Sequence, residues 1–419
     1  MDIDYSKMPQ RTIIFVDMKS FFASIEAVER NLDPLKTLLV VVGDKNRNGS
    51  VVLASTPAMK EKFGIKTGNR LYEVPKIRGI QIVEARMGFY LKKSLEITKI
   101  LTRFAPWDSI QQYSIDEAAI YIGNSERLFG TPRQVAELMK KTIYEETKLI
   151  SCYGIGPNKF LAKVILDTLG KKQGIAECQY EDVPELLWPL PLGQVWGIGK
   201  RLEKKLNAMN IFTLRELAHY PLELLRKKFG VIGEQLFWHA HGIDLSPVTY
   251  EQNFSIQKGI GKGITLLRDY CDIEEIKTVI LELCEDTAMR ARGENLVACT
   301  ISLAIGYSQY DGGGGFHRSK TMEIATNITM DIYRVCLLLL HKHYSGQIVR
   351  SVHVSLSNLE KDEMIQMSLF EDGYKQKILG YVMDQIRNKY GSTAILRGRS
   401  YTKDGTTIAR SHTLGGHKW

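Results

Sequence analysis

Strand-like and helix-like segments alternate along this sequence around one long, purely helical stretch, which predicts an α+β fold of several domains. Three observations carry the prediction. The chain has 419 residues, enough for roughly two to four domains. Residues 11–177 and 249–358 mix short β-branched runs with amphipathic stripes, whereas 184–247 is helical throughout. The composition, 44% hydrophobic and 25% charged, is that of a chain that buries a core and excludes disordered or collagen-like chains.

The elements follow in order. The run RTIIFVD at 11–17 reads as a strand buried on both faces that delivers Asp17 at its end. Phe21, Ile25, Val28 and Leu32 then recur as one helical stripe, with Ser20 as N-cap and Phe22 off the stripe. Residues 38–43 and 50–55 read as strands around a turn containing Asn48-Gly49, followed by helices near 57–63 and 86–105. In IQQYSIDEAAIYIG, strand-like runs flank Asp116-Glu117, placing both acids at a turn or strand end. After a helix near 132–148, SCYGIGPNKFLAKVILDTLGKKQG reads as a strand end, a glycine-rich turn, a helix with Pro157 in its first turn, and Gly170 as its C-terminal cap. The switch in pattern at 246–253 marks a linker. Beyond Glu360 the chain turns polar, with a helix near 374–390 and an irregular end, which predicts a partly flexible tail.

Composition narrows the function classes. Six cysteines without a Cys-x-x-Cys pair argue against a disulfide framework or zinc ribbon and for a reducing compartment. The acidic, polar start MDIDYSKMPQ is no signal peptide, and no apolar run approaches the roughly 20 residues of a membrane span. A soluble, cytoplasmic protein without a membrane partner is expected. The net charge of +9 is uneven: residues 195–230 alone carry +5.

Asp17, Asp116 and Glu117 are the first chemical candidates, because phosphoryl transfer onto a hydroxyl uses carboxylates that hold two Mg²⁺ ions roughly 3.5–4 Å apart. Spacing alone leaves open whether the three meet or each is an ordinary turn acid. The segment from Val195 to Lys200, Val-Trp-Gly-Ile-Gly-Lys, is more specific. It precedes a helix with Leu202, Leu206 and Met209 on one face and a Thr213-x-x-Glu216 capping box, the pattern of a helix-hairpin-helix. Gly197 and Gly199 let the backbone approach a phosphate, while Lys200, Arg201 and Lys204 add attraction indifferent to base sequence. An ordinary helical hairpin with a basic face is the alternative. Gly154-Ile155-Gly156 and Gly259-Ile260-Gly261 lack a full dinucleotide-binding context and read as turns. Gln366-Met367-Ser368-Leu369-Phe370, two apolar anchors in a polar stretch, reads as a docking peptide.

These motifs in this order resemble the Y-family (DinB/UmuC-type) translesion DNA polymerases over most of the chain. The resemblance rests on Phe15 to Ala23, Ser114 to Ala118, Gly154 to Lys163, the hairpin at 195–199, and Gln366 to Phe370. It implies a multidomain right hand: a palm of mixed sheet and helices (1–20 and 86–177), small fingers (21–85), a helical thumb with the helix-hairpin-helix (178–245, hairpin 195–217), the linker, an α/β little finger (254–358) and a C-terminal tail (359–419) with a clamp-binding motif. It further implies that Asp17, Asp116, Glu117 and the Met18 carbonyl ligate two Mg²⁺ ions, that Phe22 is the steric gate against ribose, and that Phe21, Ser55 and Lys171 contact the triphosphate. Gln366, Leu369 and Phe370 would dock on the bacterial sliding clamp. The partners implied are primer-template DNA and dNTP, and the chain is expected to be a monomer. One departure stands out: where many relatives carry Tyr-x-x-Arg before Lys-Phe-Gly, this chain has Ala58 and Glu61 before Lys62-Phe63-Gly64, so that either triphosphate affinity is lower or Ser55, Lys60 or Arg70 substitutes. The activity expected is metal-dependent, template-directed DNA synthesis of low fidelity past damaged bases, in DNA repair and the SOS response. The rivals are a noncatalytic damaged-DNA-binding protein that docks on the clamp and a palm-type nucleotidyl cyclase, which gives no reason for the hairpin.

Overall fold

The 11–17 run forms strand β1 (Ile13–Met18), buried along its whole length, because helices and neighbouring strands cover both of its faces. In a computed structural model that describes residues 3–248, 257–363 and 373–418, β1 is the centre of a five-stranded sheet. Strands β2 (Leu39–Val42), β3 (Val52–Ser55) and β4 (Gln81–Glu84) form a separate sheet in the order β3-β2-β4. Strands β5 (Ile110–Gln112), β6 (Glu117–Tyr121), β7 (Ser151–Gly156) and β8 (Ile175–Glu177) complete the first sheet, in the order β5-β6-β1-β7-β8. Its register pairs Asp17 with Glu117 on one side and with Cys152 on the other. Two acids that lie far apart in sequence are thereby set side by side at one end of the sheet.

One continuous apolar core underlies both sheets, joining Ile14 and Val16 of β1, Leu39 and Val41 of β2, and Tyr90 and Ile97 of the helix Met87–Leu101. The helix Phe21–Val28 buries Phe21 and Ile25 there, as the stripe predicts, but Ser20 does not cap it with its side chain. Ser20 sits in the left-handed region (φ 50°) and its hydroxyl accepts from Lys60 Nζ instead. That costs about 1–2 kcal/mol and turns the chain sharply between β1 and the helix.

Three further expectations change around β7. Gly154 and Gly156 lie inside the strand, not in a turn; a Cβ on Gly154 would strike the Ala162 carbonyl and one on Gly156 would come within 2.9 Å of the Ala162 N. The helix Lys159–Ile165 can pack this closely only over glycine. Its N-cap is Asn158, whose side-chain Oδ1 accepts from Leu161 N at 2.9 Å, so Pro157 precedes the helix. Gly170 does not end it: a π-helical turn spans Leu166–Gly170, a short helix Lys171–Gln173 follows, and Gly174 at φ 89° stops the run. Gly170 is instead a close-approach site, where a Cβ would meet the Tyr153 carbonyl at 2.5 Å. Gly259 and Gly261 likewise belong to a strand, β9 (Gly259–Tyr270).

The stretch after 178 is helical as expected. Lys200–Asn207 is followed by Leu214–Ala218, whose Thr213/Glu216 capping box is formed in both directions, then by Leu222–Phe229 and Val231–Ala240. Leu206, Leu214, Leu217 and Leu225 are buried in their common core.

The chain divides into two compact units, 1–252 with 415–419, and 253–414. The second holds an antiparallel sheet in the order β11-β10-β12-β9, built from β9 (Gly259–Tyr270), β10 (Leu296–Tyr307), β11 (Gly315–Thr326) and β12 (Val349–Lys361). The helices Ile273–Gly293 and Thr329–His343 pack against it around Ile276, Ile280, Ile301 and Leu340. The segment expected as a partly flexible tail is largely held to this unit. Arg292, with its side chain only 1% exposed, forms a bidentate pair with Asp384 of the helix Gly373–Tyr390 at 2.6 and 3.0 Å. Arg387 and Arg397 pair with Glu285, Arg399 with Glu274, and Arg410 with Asp286. The acidic face of Ile273–Gly293 needs these counter-ions, and the residues after 373 supply them. The pentapeptide Gln366 to Phe370 lies outside the described residues, as does most of the 246–253 linker. Among the described residues no helix is long and apolar enough to cross a membrane.

Candidate active site

At the end of the first sheet a cleft of about 420 Å³ is lined by Asp17, Met18, Phe21, Phe22, Lys60, Thr67, Asp116, Glu117 and Lys171, among others. The strand register brings the carboxylates to it, and the left-handed turn at Ser20 brings the two phenylalanines. Asp17, Glu117 and a residue that spacing alone did not single out, Asp167, each offer an oxygen within 4.8 Å of the others, a geometry that fits a metal ion. Asp116 lines the same cleft but stands outside that tight group, its carboxylate accepting from Ser114 Oγ at 2.8 Å. The hard oxygen donors present suit a divalent cation such as Mg²⁺.

Lysines neutralise these acids. Lys163 Nζ lies 2.6 Å from Glu117 Oε1 and 3.2 Å from Asp167 Oδ1. Lys171 Nζ lies 2.6 Å from Asp17 Oδ2 and 2.9 Å from Asp167 Oδ1. The spacing of four was the available signal for Asp167. In a regular α-helix two such steps would set Lys171 about 80° around the axis from Lys163. The wider π turn between Asp167 and Lys171 takes back much of that drift, so both ammonium groups reach one carboxylate.

Burial raises the pKa of Asp116, and Glu117 adds to the rise against the Ser114 hydrogen bond. Burial also raises Glu117, reinforced by the neighbouring Asp17 carboxyl and opposed by Lys163. Burial pulls the Lys171 ammonium down, but Asp17 and Asp167 outweigh it and hold the pKa above its ordinary value. Burial depresses Lys60, and the like charge of Lys171 adds to it. Burial that disfavours the charged forms of Asp116 and Glu117, with cations facing the cleft, makes a site that a polyanion and divalent cations can enter together.

Phe22 stands at the cleft with its ring stacked on Tyr90, centroids 4.5 Å apart at 15°. Tyr90 is fully buried and donates its hydroxyl to Glu26 Oε1 at 2.8 Å. The gate candidate therefore rests on a rigid floor. Phe21 also borders the cleft, but its ring is in the core, so its backbone at the helix start is what it can offer a phosphate. Ser55 does not reach the cleft: it is fully buried and its hydroxyl donates to the Ile65 carbonyl at 2.7 Å. Arg70 is turned to the Gly49 carbonyl. Of the three candidates for the missing Tyr and Arg, Lys60 alone lines the cleft, with Thr67 as an unanticipated neighbour.

In the hairpin, Gly197 takes φ +92°, a conformation that needs glycine, whereas Gly199 has φ −82° and open space where a Cβ would stand. Lys200, Arg201 and Lys204 are exposed. Trp196 donates its indole N–H to Tyr113 Oη at 3.1 Å, tying the hairpin to the strand pair that carries Glu117.

The fold is that of the Y-family DNA polymerases: a Y-family polymerase chimera superposes with a TM-score of 0.66 over 83% of this chain and 98% of that one, at 24% identity. Residues 16–167, 257–369 and 180–211 match, respectively, the impB/mucB/samB family, its C-terminal domain and the HHH motif of the IMS family. The chain belongs to the impB/mucB/samB family. It is 52% identical, over 99% of its length and 100% of the relative's, to a Bacillus subtilis (strain 168) protein named for UV-damage repair, UvrX. It is 40% identical over 98% of its length to a DNA polymerase IV 2 of the same organism, of which it covers 99%. A DNA polymerase IV of Pelotomaculum thermopropionicum is 36% identical over 95% of this chain and 97% of that one.

Proposed function

We propose that this protein is a template-directed, divalent-metal-dependent DNA polymerase that extends primers past damaged bases. The observation that carries the reading is the meeting of Asp17, Asp116 and Glu117 with Phe22, Lys60 and Lys171 around one cleft. The family relatives named as polymerases and as a UV-damage repair protein support it.

Asp17, Asp116, Glu117 and the Met18 carbonyl would hold two divalent ions, Mg²⁺ by family resemblance. Bound there, such ions supply the charge that makes a primer 3′-hydroxyl nucleophilic and stabilises the departing pyrophosphate. The chain's own residues do the rest. Lys171 and Lys60 offer ammonium groups to the triphosphate. The Phe22 ring, backed by Tyr90, occupies the space a ribose 2′-hydroxyl would need. The Gly197–Arg201 backbone and the basic residues beside it grip the DNA phosphates without reading bases. We assign the palm to 1–20 and 86–177, the fingers to 21–85, the thumb to 178–245 and the little finger to 254–358, followed by the C-terminal tail at 359–419. The sequence of Gln366 to Phe370 supports docking on a sliding clamp.

Primer extension on a defined template with Mg²⁺ and four dNTPs tests the reading. Extension that stops with Asp17→Asn or Glu117→Gln is expected. DNA binding without any extension would overturn it in favour of a noncatalytic damaged-DNA binder.

A further inference from the structure

Among the groups around the cleft, Asp167 has a position that the proposed reaction does not use. Its Oδ1 is shared by two ammonium groups, Lys163 Nζ at 3.2 Å and Lys171 Nζ at 2.9 Å. Each of those lysines reaches on to a different proposed metal ligand, Glu117 and Asp17, both at 2.6 Å. The result is a chain of alternating charges, Glu117, Lys163, Asp167, Lys171, Asp17.

The two lysines differ in their freedom. The Lys171 side chain is 45% exposed, so its ammonium can leave for solvent or for a phosphate. The Lys163 side chain is 4% exposed, lies beneath the sheet and has its Nζ 5.0 Å from the Phe15 ring centroid. Its ammonium is held almost entirely out of solvent. When Glu117 turns its charge to a dication, Lys163 is left buried beside that dication, and a buried ammonium without a counter-ion is heavily penalised. Asp167 is the carboxylate that remains to it.

We propose that Asp167 is a positioning residue that keeps the buried Lys163 compensated while Asp17 and Glu117 take up divalent cations, and so makes cation entry favourable. This rests on the reading that Asp17 and Glu117 are metal ligands. Asp167 acts through Lys163 and Lys171 and needs no contact with substrate.

Mn²⁺ titration of the isolated protein by electron paramagnetic resonance tests this without any turnover. Asp167→Asn should weaken Mn²⁺ binding by about 10–100-fold, the effect typical of losing a group that supports metal ligands. Its metal-free melting temperature should stay close to that of the parent, because Lys163 still has Glu117 when no cation competes. Asp167→Glu, which keeps the charge, should retain most of the affinity. In the double variant Lys163→Met with Asp167→Asn, affinity should recover most of the loss, since the cation that needed compensation is gone. Parent-like Mn²⁺ affinity in Asp167→Asn would overturn the proposal, as would a double variant that binds Mn²⁺ no better than Asp167→Asn alone. So would a large drop in metal-free melting temperature together with failure of Asp167→Glu to bind. If the parent protein binds no Mn²⁺, the metal-ligand reading of Asp17 and Glu117 falls, and this proposal with it.

Discussion

Glu26→Gln is the most informative perturbation outside the cleft. Glu26 is fully buried and accepts a bidentate pair from Arg86, both contacts at 2.9 Å, together with hydrogen bonds from Arg30 and from the Tyr90 hydroxyl. Gln preserves the shape but places an NH₂ where one oxygen accepted from arginine. The Arg86 and Arg30 side chains are 45% and 37% exposed, so they can rehydrate, and the cost falls short of that for a stranded buried ion. Loss of a charge-assisted hydrogen bond remains, worth about 2 kcal/mol. For a unit of this size that corresponds to a fall in melting temperature of about 4–8 °C.

The pH dependence has a defined sign. Burial alone would raise the Glu26 pKa, but Arg86, Arg30 and Tyr90 outweigh it and leave the carboxyl below its ordinary value. A group depressed in the folded state contributes stability above its unfolded pKa and loses it as the pH falls through the folded one. The melting difference between parent and variant, followed by calorimetry, should therefore be full at neutral pH and close progressively below the usual carboxylate range. A gap that is absent at pH 7, or that does not narrow on acidification, would refute the reasoning.

Three other outcomes are expected. Phe22→Ala should raise ribonucleotide incorporation relative to dNTP by about 10–200-fold, the range open to a steric pocket; unchanged sugar selectivity in single-nucleotide insertion would remove Phe22 from the gate. Gly199→Ala should leave the melting temperature unchanged, because its backbone is ordinary and its Cβ would meet nothing, yet weaken binding to a DNA duplex, whereas Gly197→Ala should cost about 1–2 kcal/mol from its φ of +92° alone. Parent-like DNA affinity in Gly199→Ala would argue against close phosphate approach at the hairpin. Asp384→Ala should cost about 3–5 kcal/mol in denaturant unfolding of the second unit, since it strands the buried Arg292; a loss below about 1 kcal/mol would mean that the C-terminal helix adds little to that unit.

The overall pattern was legible wherever a local rule acts. Period and apolar runs located β1 and the helix carrying Phe21 and Ile25, and the Thr213-Glu216 capping box appeared where its spacing placed it. Local rules failed where the reason for a residue lay on another element. Gly154, Gly156 and Gly170 are glycine because a helix and a strand need the space, not because the chain turns there. The arginines at 397, 399 and 410 mark no loose tail, since their counter-ions lie on a helix more than one hundred residues earlier.

The same division runs through the site. The sequence by itself determined which side chains could do the chemistry, because carboxylate, lysine and aromatic groups have intrinsic affinities for cations, phosphates and sugar faces. Which of them meet was decided by tertiary structure. Strand register set Asp17 opposite Glu117, a strained turn at Ser20 aimed Phe22, and a π turn brought Lys171 to Asp167. Ser55, chemically as good a candidate as Lys60, was turned inward by the need of the Ile65 carbonyl for a donor. Spacing along a chain constrains only neighbours within a few residues, whereas a site is assembled by backbone pairing and packing between segments that the chain itself keeps far apart.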